Sequence, residues 1–145
     1  MSGPSVATPA GTRPTAGIVS TRSPHSVSET VSILTDEIAA AGAKVFAVVD
    51  HSGEAARVGL SLRDTKLLIF GNPRGGTAVM VAAPLAAIDL PLKLLVWQDD
   101  AGAVWMSHFD PQWLAERHDL AADMAAPLAA PGALAGRVAA HAGKQ

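Results

Sequence analysis

The residues able to do chemistry in this 145-residue chain fall in three places. The first is Gly71–Thr77, GNPRGGT, which follows the apolar run Leu67–Phe70. A glycine-rich turn between a strand and a helix can aim backbone N–H groups at an anion. Asn72, Arg74, Gly75, Gly76 and Thr77 are therefore candidate ligand-binding residues, with Arg74 supplying positive charge. The stretch is not a P-loop. Gly71 and Gly76 have the right spacing, but Thr77 and Ala78 stand where the lysine and the hydroxyl residue belong. That argues against nucleotide hydrolysis. The competing reading is a plain turn in which Thr77 caps a helix.

The second place is Asp50-His51, at the end of the run Lys44–Asp50. Adjacent strand residues point to opposite sides, so the two do not form a mutual acid–base pair. Asp50 or Ser52 can instead cap a short helix over Ser52–Val58. As chemistry, His51 would be a general base. The third place is Lys93, set among apolar neighbours in Leu92–Trp97. A lysine there must snorkel, protect a sheet edge, or meet a carboxylate, for which Asp89 and Asp50 are the candidates.

Other chemistries find less. The chain has no cysteine, and its five histidines (25, 51, 108, 118, 141) show no H-x-H or H-x-x-x-H pair. No metal and no cofactor is expected. Eleven basic and thirteen acidic residues give a net charge of −2, with no adjacent Lys or Arg pair. Nucleic acid, which is bound by clustered cations, is not an expected partner. No apolar run reaches the ~18 residues that span a bilayer, and the N-terminus lacks signal-peptide order, so a cytoplasmic protein without a membrane partner is expected.

The elements that must position these residues are mostly legible. Residues 1–16 are rich in Ser, Thr, Pro, Gly and Ala, and read as a disordered tail ahead of a single domain over 17–142. Ile18–Arg22 reads as a strand. Ser26-Val-Ser-Glu29 fits a capping box, and Gly42 closes the helix that follows. Its apolar stripe is Val27, Val31, Leu34, Ile38 and Ala41. Lys44–Asp50, Lys66–Phe70, Leu92–Gln98 and Val104–Phe109 read as strands, the last two joined by a hairpin turn at Asp99–Gly102. Asp99-Asp100 is expected to be merely solvated. Ala78–Ala83 can form one or two helical turns. Asp110-Pro111 pairs a cap with a first-turn proline, opening a helix to about His118. Residues 120–142 favour helix but carry Pro127 and Pro131, which predicts two short helices or one kinked helix. The order gives an α+β fold, an antiparallel sheet with helices gathered on one face.

Four stretches carry a resemblance: VFAVVDH (45–51), LLIFGNP with GGT (67–77), DLPLKLLVW (89–97) and FDPQWLAERH (109–118). In order and separation they resemble the family catalogued as domain of unknown function number 302, over about residues 17–140. The resemblance implies a TATA-binding-protein-like α+β fold, usually a homodimer, and no established activity. The N-terminal extension and the two late prolines depart from the pattern.

Two functions from different classes follow. One is a small dimeric binding or accessory module for a small molecule or anion, with a pocket near Asp50, His51, Asn72, Arg74 and Lys93. The other is a hydrolase or isomerase for a small acid, with His51 as general base. Binding is favoured, because it needs only concavity and polar anchors, whereas catalysis needs a nucleophile–base geometry that the sequence does not display.

Overall fold

A computed structural model of the protein describes residues 17–141. The tail expected over residues 1–16 lies outside the described residues. Five strands form one sheet in the order β1-β5-β4-β3-β2, with every neighbouring pair antiparallel. They are β1 (Ile18–Ser23), β2 (Lys44–Asp50), β3 (Thr65–Gly71), β4 (Leu92–Gln98) and β5 (Val104–Phe109). The α+β expectation holds, with the first two strands at opposite edges.

That separation explains the long first helix. Helix α1 (Val27–Ala40) must carry the chain from the β1 edge to the β2 edge. Fourteen residues give it about 21 Å, at ~1.5 Å per residue. Four interstrand gaps of ~4.8 Å need about 19 Å. The expected capping box starts it: Ser26 Oγ accepts from the Glu29 amide at 3.1 Å, and Glu29 Oε1 accepts from the Ser26 amide at 3.2 Å. Its buried stripe is Val27, Thr30, Leu34 and Ile38. Thr30 is buried because its hydroxyl pairs with Ser23 Oγ at 2.6 Å, a partner that the apolar stripe did not reveal.

Helix α5 (Ala130–Ala140) lies beside α1 and completes the covering layer. Leu34 and Ile38 of α1, with Leu134 and Val138 of α5, pack on Leu68, Leu94 and Met106 of the sheet. The two late prolines divide this stretch into two short helical segments, as expected. Pro131 stands in the first turn of α5, where its missing N–H costs nothing, and Pro127 lies in a 3-10 segment (Ala122–Leu128) ahead of it.

Two shorter helices close the ends of strands. Helix α2 (His51–Arg57) follows β2 directly, capped by Asp50, and Gly59 leaves it with φ +78°. Helix α4 (Pro111–Arg117) is capped by Asp110, as the Asp-Pro pair implied. One stretch departs from expectation. Gly71–Thr77 is not a loop, because helix α3 runs over Pro73–Ala82, with Asn72 as its cap. Asn72-Pro73 is the same cap-and-proline signature as Asp110-Pro111. The two glycines behind it, poor helix formers, masked the signal.

Asp99 is more than a solvated turn residue. Its carboxylate accepts from the amides of Ala101 and Ala103 and from Trp105 Nε1, and so holds the β4–β5 hairpin. The Trp105 bond leads the causes that keep its pKa below the ordinary value.

Candidate functional site

A second apolar cluster sits apart from the main core and creates the site. Val79 of α3, Ala86 of a 3-10 segment (Pro84–Ile88), Leu114 of α4 and Leu128 pack together. Helix α3 packs against that cluster, leaving a cleft of about 700 Å³ between the ends of β2 and β3 and the segment 126–130. That volume falls within the ~300–1,000 Å³ typical of small-molecule sites. Phe70, Gly71 and Leu128 are buried at its floor. Phe46, Met80, Leu90, Pro91, Leu92 and Pro127 form much of its wall. Gly75 lets α3 approach the far side, because a Cβ there would lie 3.2 Å from Pro127 Cβ.

Of the five residues singled out in GNPRGGT, Asn72, Gly75, Gly76 and Thr77 line this cleft, and Arg74 does not. The expected amide cradle is not formed. Pro73 has no N–H, and the Arg74 amide donates to Asn72 Oδ1 at 3.0 Å. The amides of Gly75 and Gly76 donate to the Asn72 carbonyl at 3.1 and 2.9 Å. The residues face a pocket, but their side chains and contours define it, since the amides are used by the helix.

The other candidates do not converge. Asp50 is occupied as a cap, accepting from the Gly53 amide at 2.9 Å and from Ser52 Oγ at 2.8 Å. Those two bonds, the backbone one first, hold its pKa below the usual carboxylate value. His51 is exposed and, among the described residues, has no side-chain hydrogen-bond partner. It stands one strand length from the cleft, roughly 20 Å along β2. In the ladder Asp50 opposes Lys66, which opposes Val96. Lys93 lies three positions further, about 10 Å along β4 and two strands across.

Lys93 solves its own problem locally. Its ammonium donates to the carbonyls of Asp89 at 2.8 Å and Pro91 at 2.7 Å. The partner is thus Asp89, but through its backbone. Burial lowers the Lys93 pKa, and the nearby Asp89 charge opposes that.

The Asp89 carboxylate belongs to a pairing that sequence reading missed. Its Oδ2 accepts from His118 Nε2 at 2.6 Å and Arg117 Nε at 2.8 Å. An ionised carboxylate can only accept, so Nε2 carries the proton. The pair joins the segment after α3 to the end of α4. Twenty-nine residues separate the partners, so no local spacing announces them. Burial raises the Asp89 pKa, but the bonds from His118 and Arg117 outweigh it, and the net value falls below 3.8. A depressed carboxylate contributes stability above its unfolded pKa and loses it as pH falls through the folded one. Asp89→Asn is therefore expected to cost about 1.5–3 kcal/mol at pH 7, the range for hydrogen bonds to charged groups. It also flattens the loss of stability below about pH 4. Denaturant titrations of both proteins at pH 7 and pH 3 check this; parallel acid limbs would refute it.

Among the described residues no group of three or more His, Asp or Glu is placed to hold a metal. No described helix is long and apolar enough to cross a membrane.

The fold and cleft define a class: a small α+β domain with a five-stranded antiparallel sheet, one helical layer and an end cleft. The chain belongs to the family described as Domain of unknown function DUF302, whose model matches residues 19–131. A crystal structure of the uncharacterized conserved protein DUF302 from Bacillus stearothermophilus is similar in fold, with a TM-score of 0.72 and 17% sequence identity. The match covers 87% of this chain and 98% of that one. In sequence, the chain is 43% identical over 104 residues to Fluoride-specific ion channel FluC 1 of Brucella suis biovar 1 (strain 1330). That covers 72% of this chain and 41% of the relative. Fluoride-specific ion channel FluC 2 of Brucella melitensis biotype 1 matches at the same identity, with 38% of its length covered. The chain thus spans about two fifths of these relatives.

Proposed function

We propose that this domain is a ligand-binding accessory module whose cleft takes a small molecule with an apolar body. The single observation that carries this reading is the 700 Å³ cleft, walled mainly by apolar side chains with Asn72 and Thr77 among its few polar groups. A bare small anion finds no ring of free amides there, because the α3 amides are spent.

The Brucella relatives support the accessory part of the reading. The segment they share with this chain is about two fifths of proteins named as fluoride channels. The described part of this chain has no helix able to cross a membrane. A module appended to a larger protein, outside the bilayer, fits both facts. Self-association through the open sheet face belongs to the same proposal. The enzymatic alternative has little to stand on, since His51 lies far from the cleft and, among the described residues, no carboxylate orients it.

Thermal melting with a panel of apolar small molecules and simple anions, fluoride and phosphate included, tests the proposal. Ligand at a hundredfold excess over its dissociation constant stabilises by about 2.7 kcal/mol. Apolar-bodied compounds are expected to raise the melting temperature of the wild type but not of Gly76→Phe. A Cβ on Gly76 meets only Met80 Cε, at 4.0 Å, so the ring fills the cleft without displacing backbone. A fluoride or phosphate shift that survives Gly76→Phe, with none from the apolar panel, would sink the reading.

A further inference from the structure

We infer that the ligand of the cleft is an amphipathic acid, its apolar body inside and its anionic head at a rim formed by Lys44, Asn72 and Arg74. This rests on the reading of the cleft as a binding site and adds the ligand's chemical class.

Among the described residues no charged side chain lines the cleft, so its interior favours hydrocarbon. Two cations adjoin its lining residues. Lys44 opposes Gly71 in the ladder, and Gly71 is part of the floor. Its ammonium lies 5.4 Å from the ring centroid of Phe46, itself a wall residue. Arg74 sits between the lining residues Pro73 and Gly75. It is about 100° of helical arc from each of them.

Among the described residues these two cations lack a carboxylate partner. Among the described residues Arg57, Arg63, Arg117 and Arg137 are each ion-paired, with Glu54, Asp100, Asp89 and Glu37. Lys66 lies close enough to Asp50 to lower its pKa, and Arg22 does the same to Asp99. Lys44 and Arg74 form no ion pair among the described residues. Helix stability does not call for Arg74 either, because a cation in a first turn opposes the helix dipole. Asn72 completes the rim. Its Oδ1 is occupied by the Arg74 amide, which leaves the side-chain NH2 as a donor for a head-group oxygen. A carboxylate or sulfonate head would receive charge-assisted bonds from all three.

Calorimetric titration of the full chain with decanoate, 1-decanol and decyltrimethylammonium, at low salt, tests the assignment. Decanoate is expected to bind at least tenfold more tightly than decanol, and the cationic probe more weakly than decanol. Lengthening the acid from octanoate should tighten binding about three- to fourfold per methylene, which is ~0.8 kcal/mol per buried CH2. The double variant Lys44→Gln, Arg74→Gln keeps the side-chain stems. It should bring decanoate down to decanol's affinity while leaving decanol unchanged. Equal affinity for decanoate and decanol in the wild type, or preference for the cation, overturns the inference and leaves the cleft reading intact. Decanoate binding that Gly76→Phe fails to abolish places the acid elsewhere and also overturns it. If no probe binds, the cleft reading falls and the inference falls with it.

Discussion

Replacing Phe70 with alanine should lower the stability of the domain by about 3–5 kcal/mol. Small domains hold only about 5–15 kcal/mol in total, so this one change removes a large share. Phe70 is 1% exposed and lies among the largest fully buried side chains. It opposes Val45 on one neighbouring strand and Leu92 on the other. It belongs to the main core and is also the floor of the cleft. The void left by the ring would therefore open into the cleft and admit solvent or ligand. Leu94→Ala, at a position 0% exposed and away from the cleft, offers the comparison, with an expected loss of about 2–5 kcal/mol. Urea titrations give both losses from shifts in midpoint at constant slope. A loss below 1 kcal/mol for Phe70→Ala would mean that the ring is a cleft wall and not a core residue.

The fold was legible wherever one local rule acted alone. The capping box at Ser26–Glu29 fixed where α1 begins, and the β-branched runs marked β2 to β5 with boundaries shifted by a residue or so. Reading failed where two local rules opposed each other. Asn72-Pro73 argued for a helix start and Gly75-Gly76 against it; tertiary packing decided, because Val79 is wholly buried in the second cluster. Thr30 shows the same limit. A threonine can join an apolar stripe when a buried hydroxyl meets it, and Ser23 is seven positions away.

The site was legible only in part, for a related reason. Its α3 side was singled out from glycine content. The opposite wall, Ala126 to Ala130, comes from a segment some fifty residues later, which no spacing connects to α3. Phe46 joins it only because β2 and β3 pair in a register that a bulge shifts between Val45 and Ala47. Asp50, His51 and Lys93 looked like companions because each is conspicuous in its own stretch. Strand register separates them, and register is set by pairing that sequence alone did not specify.

Self-association is the remaining large effect, and the sheet's uncovered face argues for it. Helices α1 and α5 cover the side that carries Leu68, Leu94 and Met106. Alternation then puts Leu67, Ile69, Leu95, Trp97 and Trp105 on the other side. Trp97 and Trp105 oppose each other, as do Leu67 and Leu95. All five are only half-buried. Trp105 already has Arg22 over its ring at 5.5 Å, so the barest apolar strip runs along β3 and β4. Contiguous apolar patches beyond ~300–600 Å² are uncommon on monomers, and a symmetric copy of the same surface is the commonest cover. The expected result is a dimer, with twice the 14.8 kDa of one chain by light scattering after size exclusion at low micromolar concentration. Leu95→Arg, in the middle of the strip, should return the mass to one chain. Its far-ultraviolet circular dichroism should stay the same, because the substituted side chain faces away from the core. A wild-type mass of one chain ends the proposal; a dimer that Leu95→Arg leaves intact moves the interface to another surface, such as the exposed β2 edge with Phe46 and Val48.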